Sequence, residues 1–290
     1  PTRSVRRGRD SRGRSGGTEV TCAEPIAARV RLTPPTSMPP TDPPLGAMLN
    51  RSTRRGLGDA SAAAPDDLET LCQVATTPHT RLVTISEHDV IGRLATILGA
   101  SDRVRFLTPQ LHTEMFEELT DQPDTQRGIH INALGLPADM AAMIDVLRRG
   151  DVMALLDEWD AGAALAADAS ARAASASAFV AIVQTGCTAA DYLQAGLVVE
   201  HLWIAAEQLG YQVHPMTPVF LYATDDQEAR ALSARHADEI VAQRRALLEM
   251  LKVAPGESPT ILLRLSRGLH STPPPAEVRE KVDPGPNSAA

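Results

Sequence analysis

Residues 177–185, SAFVAIVQT, form a continuous apolar run of strand length. Shortly after it the chain enters AADYLQAGLVVEHLWIAAEQLG, residues 189–210, whose apolar side chains cover most of a helical circumference. A run of the first kind, with no polar alternation, reads as a strand covered on both faces. The second reads as a long helix buried on several sides and closed by Gly210, the residue type that turns a helix end most easily. A chain carrying this pair must build layers around both.

The flanking sequence supplies those layers. Residues 66–76 open with acidic side chains and place Leu68, Leu71, Cys72 and Ala75 on one face, which predicts an amphipathic helix. Residues 81–85, RLVTI, are β-branched and short, as a strand would be, and a helix over 87–98 ended by Gly99 should follow. Residues 102–120 also read as helical, with Pro109 at a break or a first turn. Residues 121–136 are polar and turn-rich. Two helical runs, 138–150 and 151–162, are separated by Gly150, with Asp151 available as the cap of the second, and an Ala-rich connection then leads to the buried strand. Strands are expected over 219–223 and 260–266, and a surface helix over 237–253. The alternation predicts an α+β sandwich, helices against a mixed sheet.

Both ends of the chain read differently. The first sixteen residues hold six arginines and one aspartate, and residues 32–46 are dense in proline, so residues 1–44 are expected to be a disordered tail. The folded domain is assigned to residues 45–270 and a second disordered tail to 271–290. The chain has 290 residues, 43% of them apolar, enough for one sizeable core.

A net charge of −8 argues against a nucleic-acid-binding protein as a whole, although the Arg-rich tail alone is suited to an acidic partner. Cys22, Cys72 and Cys187 are too few and too scattered for a disulfide framework or a zinc site, and Cys72 and Cys187 read as small core residues. No apolar run reaches the roughly 20 residues needed to span a bilayer, and a cytoplasmic location is expected.

Three stretches carry chemistry. Residues 50–55, NRSTRR, put three guanidinium groups and two hydroxyls within five residues, a good grip for a phosphate. The apolar strand and long helix, with Gly196 permitting close approach, could pack under a flat cofactor. Residues 261–268, ILLRLSRG, bring Arg264 and Arg267 to the end of an apolar strand, solvated or within reach of a phosphate.

These three stretches together resemble the FMN-dependent nitroreductase family. RSTRR ahead of an acidic helix resembles that family's R-R-S-x-R opening, AGLVVEHLWIAAEQLGYQVHPMTP its long helix and Gly turn, and LLRLSRG its last strand. The resemblance covers about residues 45–270. Within the family, RFLTPQLHTEMFEEL, VLRRGDVMALLDEWDAG and HPMTPVFLYA are most similar to actinobacterial nitroreductase-like domains fused behind a ThiF-type, E1-like adenylating domain, which this sequence does not contain.

The resemblance implies a nitroreductase-like sandwich with a mostly antiparallel sheet and a long central helix. It implies FMN at a homodimer interface, reduced by NAD(P)H and reoxidised by a nitroaromatic, quinone or similar small acceptor, and an E1-like domain as a partner. The flavin carries the hydride chemistry in such an enzyme, so no acid–base triad is required. Residue by residue, Arg51, Ser52 and Arg54 would contact the FMN phosphate and ribityl chain, and Arg264 or Arg267 would be the second phosphate contact. His214, in the loop GYQVHPMT, is either a flavin-side donor or a packing residue. The family's P-S-x-x-N-x-Q segment is replaced here by TTPHTRLVT, where Thr77, His79 and Thr80 do not match. That departure keeps two other readings open: a flavin-binding or flavin-sequestering accessory module with little turnover, and a domain that has lost the cofactor and serves as an interaction surface.

Overall fold

In the computed structural model, the described residues are 47–48, 51–122, 128–134, 136, 138–186, 188–216, 218, 223 and 225–268; for 138–142 only the backbone is described. Both expected tails, the strand expected over 219–222, Cys22 and Cys187 lie outside them.

Central to the fold is β4 (Ala178–Thr185), buried along its length up to Thr185. It pairs antiparallel with β1 (Thr80–Ile85) on one side and with β6 (Glu257–Ser266) on the other, and β6 pairs antiparallel with β5 (Gln212–Met216). The order is β1-β4-β6-β5. The expected mostly antiparallel α+β sandwich is what forms, with a parallel pair, β2 (Leu119–Thr120) and β3 (Ile129–His130), apart from the main sheet. β5 corrects the sequence reading, which took GYQVHPMT as a loop; its backbone instead completes the sheet beside β6.

Alternation along the strands sorts the core into two layers. Val180, Ile182, Leu263 and Leu265 face α1 (Pro65–Ala75) and α7 (Ala189–Gln208), meeting Leu71, Val198 and Leu202. Phe179, Ala181 and Leu262 face the other way, against α2 (His88–Leu107) and α9 (Ala237–Met250). Each fully buried Val, Leu, Ile or Phe contributes roughly 1.5–3 kcal/mol, so β4 with its two faces is a principal source of stability.

Between β1 and β4 the described residues include the α-helices α2, α3 (Pro109–Glu117), α4 (Ala138–Leu147), α5 (Gly150–Glu158) and α6 (Ala163–Ala174). Leu107, Phe116, Leu147, Met153 and Leu165 from these helices form a third apolar cluster. Pro109 opens α3, and Thr108 before it is extended, as the residue preceding proline prefers, which ends α2. Asp151 does not cap α5; Arg149 occupies the N-cap and its guanidinium pairs with the Asp151 carboxylate. The Ala-rich connection is itself a helix, α6, and α8 (Asp226–Leu232), capped by the Asp225 side chain, was not anticipated.

Gly99 does not end a helix. It lies inside α2 where α6 crosses, and a Cβ there would stand 2.5 Å from the Ala166 carbonyl oxygen. Small residues at the crossing let two backbones approach, which explains the Ala-rich composition of α6. Gly92, two turns earlier in the same helix, has open space where a Cβ would be. Gly99→Ala should therefore destabilise by about 1–3 kcal/mol, and Gly92→Ala should stabilise by about 0.5–1 kcal/mol. Urea unfolding of the two variants checks the opposite signs.

α5 and α9 are joined by an ionic junction. The His236 ring is 3.5 Å from the Glu239 carboxylate and 2.8 Å from Asp157. Hydrogen bonding to Glu239, with Asp157 adding to it against a burial penalty, raises the His236 pKa above its usual value. Because the folded value is the higher one, this stabilisation is complete below the unfolded pKa of about 6.5 and is lost as pH rises through the folded value. The melting-temperature advantage of the wild type over His236→Gln should shrink between about pH 6 and pH 8.5; an advantage constant with pH would contradict the assignment.

Candidate functional site

Residues 51–56 lie along the free side of β5. Thr53 forms a parallel bridge with Val213, and the Arg54 N–H donates to the Val213 carbonyl at 3.0 Å. What holds this segment is Arg264 on β6. Its guanidinium is fully buried and donates to the carbonyls of Arg54 (3.1 Å), Gly56 (2.6 Å) and Arg172 (2.8 Å). Burial, with the nearby Arg172 charge, pulls its pKa down to about 10, so it stays protonated at neutral pH. The expectation that Arg264 offers a phosphate contact is corrected: its two terminal nitrogens are engaged by three carbonyls inside the molecule, and its Nε is sealed from solvent without a partner.

On the α7 side, the Arg51 Nε donates to Glu200 at 2.7 Å, and its guanidinium lies 5.1 Å from the centre of the Trp203 ring. The Ser52 Oγ and the Trp203 Nε1 are both sealed from solvent with no hydrogen-bond partner. Buried polar atoms are rarely left this way, because an unmade bond costs about 1–3 kcal/mol. Arg54 acts electrostatically on Glu207 of α7, whose carboxyl is pushed up by burial and drawn down by that arginine. Arg51 and Arg54 thus face the segment of α7 between Glu200 and Glu207, with the buried Ser52 between them in sequence. Glu200 and Trp203 were not singled out from sequence; a carboxylate in the middle of so apolar a helix was the available signal.

The other two candidates lie elsewhere. Arg267 pairs with Asp67 at 3.2 Å and stacks over the Tyr211 ring at 4.7 Å, while the Tyr211 hydroxyl donates to Asp67 at 2.8 Å. These contacts tie the end of β6 to the start of α1. His214 is opposite Arg264 in the β5–β6 register, and successive strand residues point to opposite faces, so with Val213 packed towards α7, His214 faces away from it. Its Nδ1 is sealed and without a partner, and burial, then the charges of Arg264, Arg55 and Arg172, hold its pKa well below the usual value. The imidazole is therefore neutral.

His214 lines a cleft of about 420 Å³ between the β5 edge and the helices α2, α3 and α6. Arg55 and Arg172 stand at the same end, the Arg172 guanidinium held by Asp168 (2.8 Å) and donating to the Arg55 carbonyl (2.9 Å). Phe106, Met115, Phe116 and Leu165 line the apolar remainder. On the α2 wall, Asp102 is 3.8 Å from Arg105, and burial pushes its carboxyl pKa up. Arg172 was overlooked in the sequence although it is the basic residue in an otherwise alanine-rich run.

On its outer face α7 exposes Tyr192, Leu193 and Leu197, and Gly196 opens to empty space. The helix is thus covered on one side within the chain, not on several as its composition predicted. Thr77 and Thr80 hydrogen-bond each other (2.7 Å) in the tight turn between α1 and β1, so their hydroxyls are engaged locally. Cys72 is half-buried on α1, its thiol pKa raised by burial and then by Glu69. Among the described residues no group of three His, Cys, Asp or Glu side chains is placed to hold a metal, and no helix is long and apolar enough to cross a membrane.

Because Arg264 serves three carbonyls at once, Arg264→Met should destabilise the fold by about 2 kcal/mol or more. Arg264→Lys, which keeps the charge but lacks the planar fork, should recover only part of that loss in urea unfolding. Full recovery by lysine would show that the charge, and not the three-way bridge, matters.

No protein-family model matches the sequence. The chain is 34% identical over 247 residues to the uncharacterized protein MT1398 of Mycobacterium tuberculosis (strain CDC 1551 / Oshkosh), a match covering 83% of this chain and 34% of that protein. The chain therefore spans about a third of the length of the curated relative it matches. Among solved structures, an FMN-dependent nitroreductase from Clostridium difficile R20291 aligns over 83% of this chain and 98% of its own at 11% identity, with a TM-score of 0.47. A nitroreductase with bound FMN from Bacteroides fragilis NCTC 9343 aligns over 86% and 100% at 12% identity, with a TM-score of 0.45. An iodotyrosine deiodinase bound to FMN and 3-iodo-L-tyrosine aligns over 79% and 92% at 12% identity, with a TM-score of 0.41. The chain is an α+β protein, similar in sequence over most of its length to one part of the longer mycobacterial protein.

Proposed function

We propose that this chain binds FMN and works as a flavin-dependent oxidoreductase of the nitroreductase type, taking hydride from NAD(P)H and passing it to a small acceptor such as a nitroaromatic or a quinone. The observation that carries the reading is that Arg51 and Arg54 face α7 while the hydroxyl of Ser52, between them in sequence, is buried and unpartnered. Two arginines and an orphaned hydroxyl form a donor set suited to a phosphate monoester. An anion bound there shares Arg51 with Glu200. The residues present therefore fit the phosphate end of FMN.

When bound, the flavin supplies the hydride chemistry. The protein's part is position: Arg51 and Arg54 hold the phosphate end, and Arg264, through the carbonyls of Arg54 and Gly56, keeps the phosphate-binding backbone from shifting. The uncovered face of α7, with Tyr192, Leu193 and Leu197, is assigned to a second copy of the chain in an isologous dimer that completes the site. An E1-like adenylating domain remains the proposed partner in a longer protein.

A flavin-sequestering module with little turnover is the second reading. What favours it is the turn between α1 and β1, where the Thr77 and Thr80 hydroxyls satisfy each other.

Purified protein should be yellow with a flavin absorbance spectrum, and Arg51→Ala combined with Arg54→Ala should lose the colour while the fold is kept. Leu193→Glu with Leu197→Glu should shift the protein to a monomer in size-exclusion chromatography and lower flavin content with it. Anaerobic bleaching by NADH or NADPH, with recovery on adding a quinone, separates the oxidoreductase from the sequestering module. A colourless wild type that stays apo when FMN is added rejects both.

A further inference from the structure

The proposed flavin site uses Arg264 as a backbone clasp and leaves its charge unmatched. Arg264 is a fully buried guanidinium whose hydrogen-bond partners are carbonyl oxygens, with no carboxylate among them. A buried charge balanced by dipoles alone is costly, and its field extends into whatever space adjoins it.

That space is the cleft on the face away from α7. His214 sits across from Arg264 in the sheet and lines the cleft, and the charges that act on its ring, those of Arg264, Arg55 and Arg172, are all positive. Arg55, Arg172 and Asp168 all line the cleft; Arg172 is matched by Asp168 and Arg55 donates to the Ala133 carbonyl at 3.4 Å, so the charge without a carboxylate partner behind this end is that of Arg264. Away from this end the lining turns apolar through Phe106, Phe116 and Leu165, which belong to or pack against the third apolar cluster. The remaining acids, Asp102 on the α2 wall and the exposed Glu118, lie along the cleft with Arg105 beside Asp102. A volume of about 420 Å³ lies within the range of small-molecule sites, roughly 300–1,000 Å³.

We propose that this cleft binds an amphipathic anion, an apolar chain or ring lying against Phe106, Phe116 and Leu165 with a single carboxylate or phosphate head at the end formed by Arg55, Arg172 and His214. A cation is repelled by the same field, and a neutral molecule of equal length gains the apolar contacts without the electrostatic gain. The site lies on the opposite face of the sheet from Arg51 and Glu200, so it does not rest on the flavin reading.

The test is displacement of anilinonaphthalene sulfonate from the full chain by decanoate, decyl phosphate, decanol and inorganic phosphate, followed by fluorescence. Decanoate or decyl phosphate should displace the dye at least about tenfold more tightly than decanol, a difference of about 1.4 kcal/mol, and the stronger of the two identifies the head group. Inorganic phosphate alone should not displace it. Arg55→Gln should weaken the anionic ligands by about tenfold and leave decanol unchanged, and Leu134→Trp, which fills the cleft, should weaken all three decyl compounds. Equal affinity for decanol and decanoate, or an unchanged affinity in Arg55→Gln, overturns the proposal. If Leu134→Trp fails to fold by its melting curve, Arg55→Gln at the cleft mouth decides alone. Flavin absorbance recorded on each sample reads the flavin proposal separately, because a colourless protein that still prefers decanoate sinks one and supports the other.

Discussion

The structure turns on one buried guanidinium. Arg264 reaches from β6 to the carbonyls of Arg54, Gly56 and Arg172, joining the last strand, the segment ahead of α1 and the end of α6 at a single point. A planar fork with several donors can satisfy three acceptors that no single ammonium could meet with the same geometry. Without that clasp, residues 51–56 would hang on β5 by the Thr53 bridge and one backbone hydrogen bond. The cost is a charge held in the interior, which is expressed in its lowered pKa and in the neutral state of His214 beside it.

This arrangement divides the chemistry between two faces of one sheet. Strand alternation sends Val213 towards α7 and His214 away from it, so neighbouring residues serve different surroundings. On the α7 face, Arg51 is oriented by Glu200 and by the Trp203 ring, leaving the buried Ser52 hydroxyl unmatched. On the other face, a basic end and an apolar body share one cleft. The long helix mediates between the chain and its surroundings: its inner stripe of Val198, Leu202 and Ala206 seals the core, and its outer stripe of Leu193 and Leu197 stays uncovered.

Much of the layering could be read from the chain. The apolar run of β4, the amphipathic pattern of α1 and the Gly210 turn after α7, which sits at a φ of 80°, are local signals whose physical causes act within a few residues. Where the reading failed, a distant contact was responsible. Gly99 looked like a helix end because glycine ends helices locally, yet its missing side chain makes room for the Ala166 carbonyl of α6. GYQVHPMT looked like a loop because it opens on Gly210 and carries Pro215, yet β6 offers its backbone a ladder to join. Of the site residues, the RSTRR cluster was visible as charge density, whereas Glu200 and Arg172 gained their meaning from what they face.

Sequence by itself determined that β4 and α7 are apolar enough to be core, that α1 is an amphipathic helix, and that arginines crowd ahead of it. Tertiary structure decided what each arginine faces and which are consumed in holding the chain. Arg51, Arg54, Arg264 and Arg267 carry the same guanidinium, but one meets a carboxylate and an indole, one sits beside a buried glutamate, one is enclosed among carbonyls, and one stacks on a tyrosine. Local sequence governs backbone preference over a turn or two, while the partner of a long charged side chain is set by packing between elements far apart in the chain.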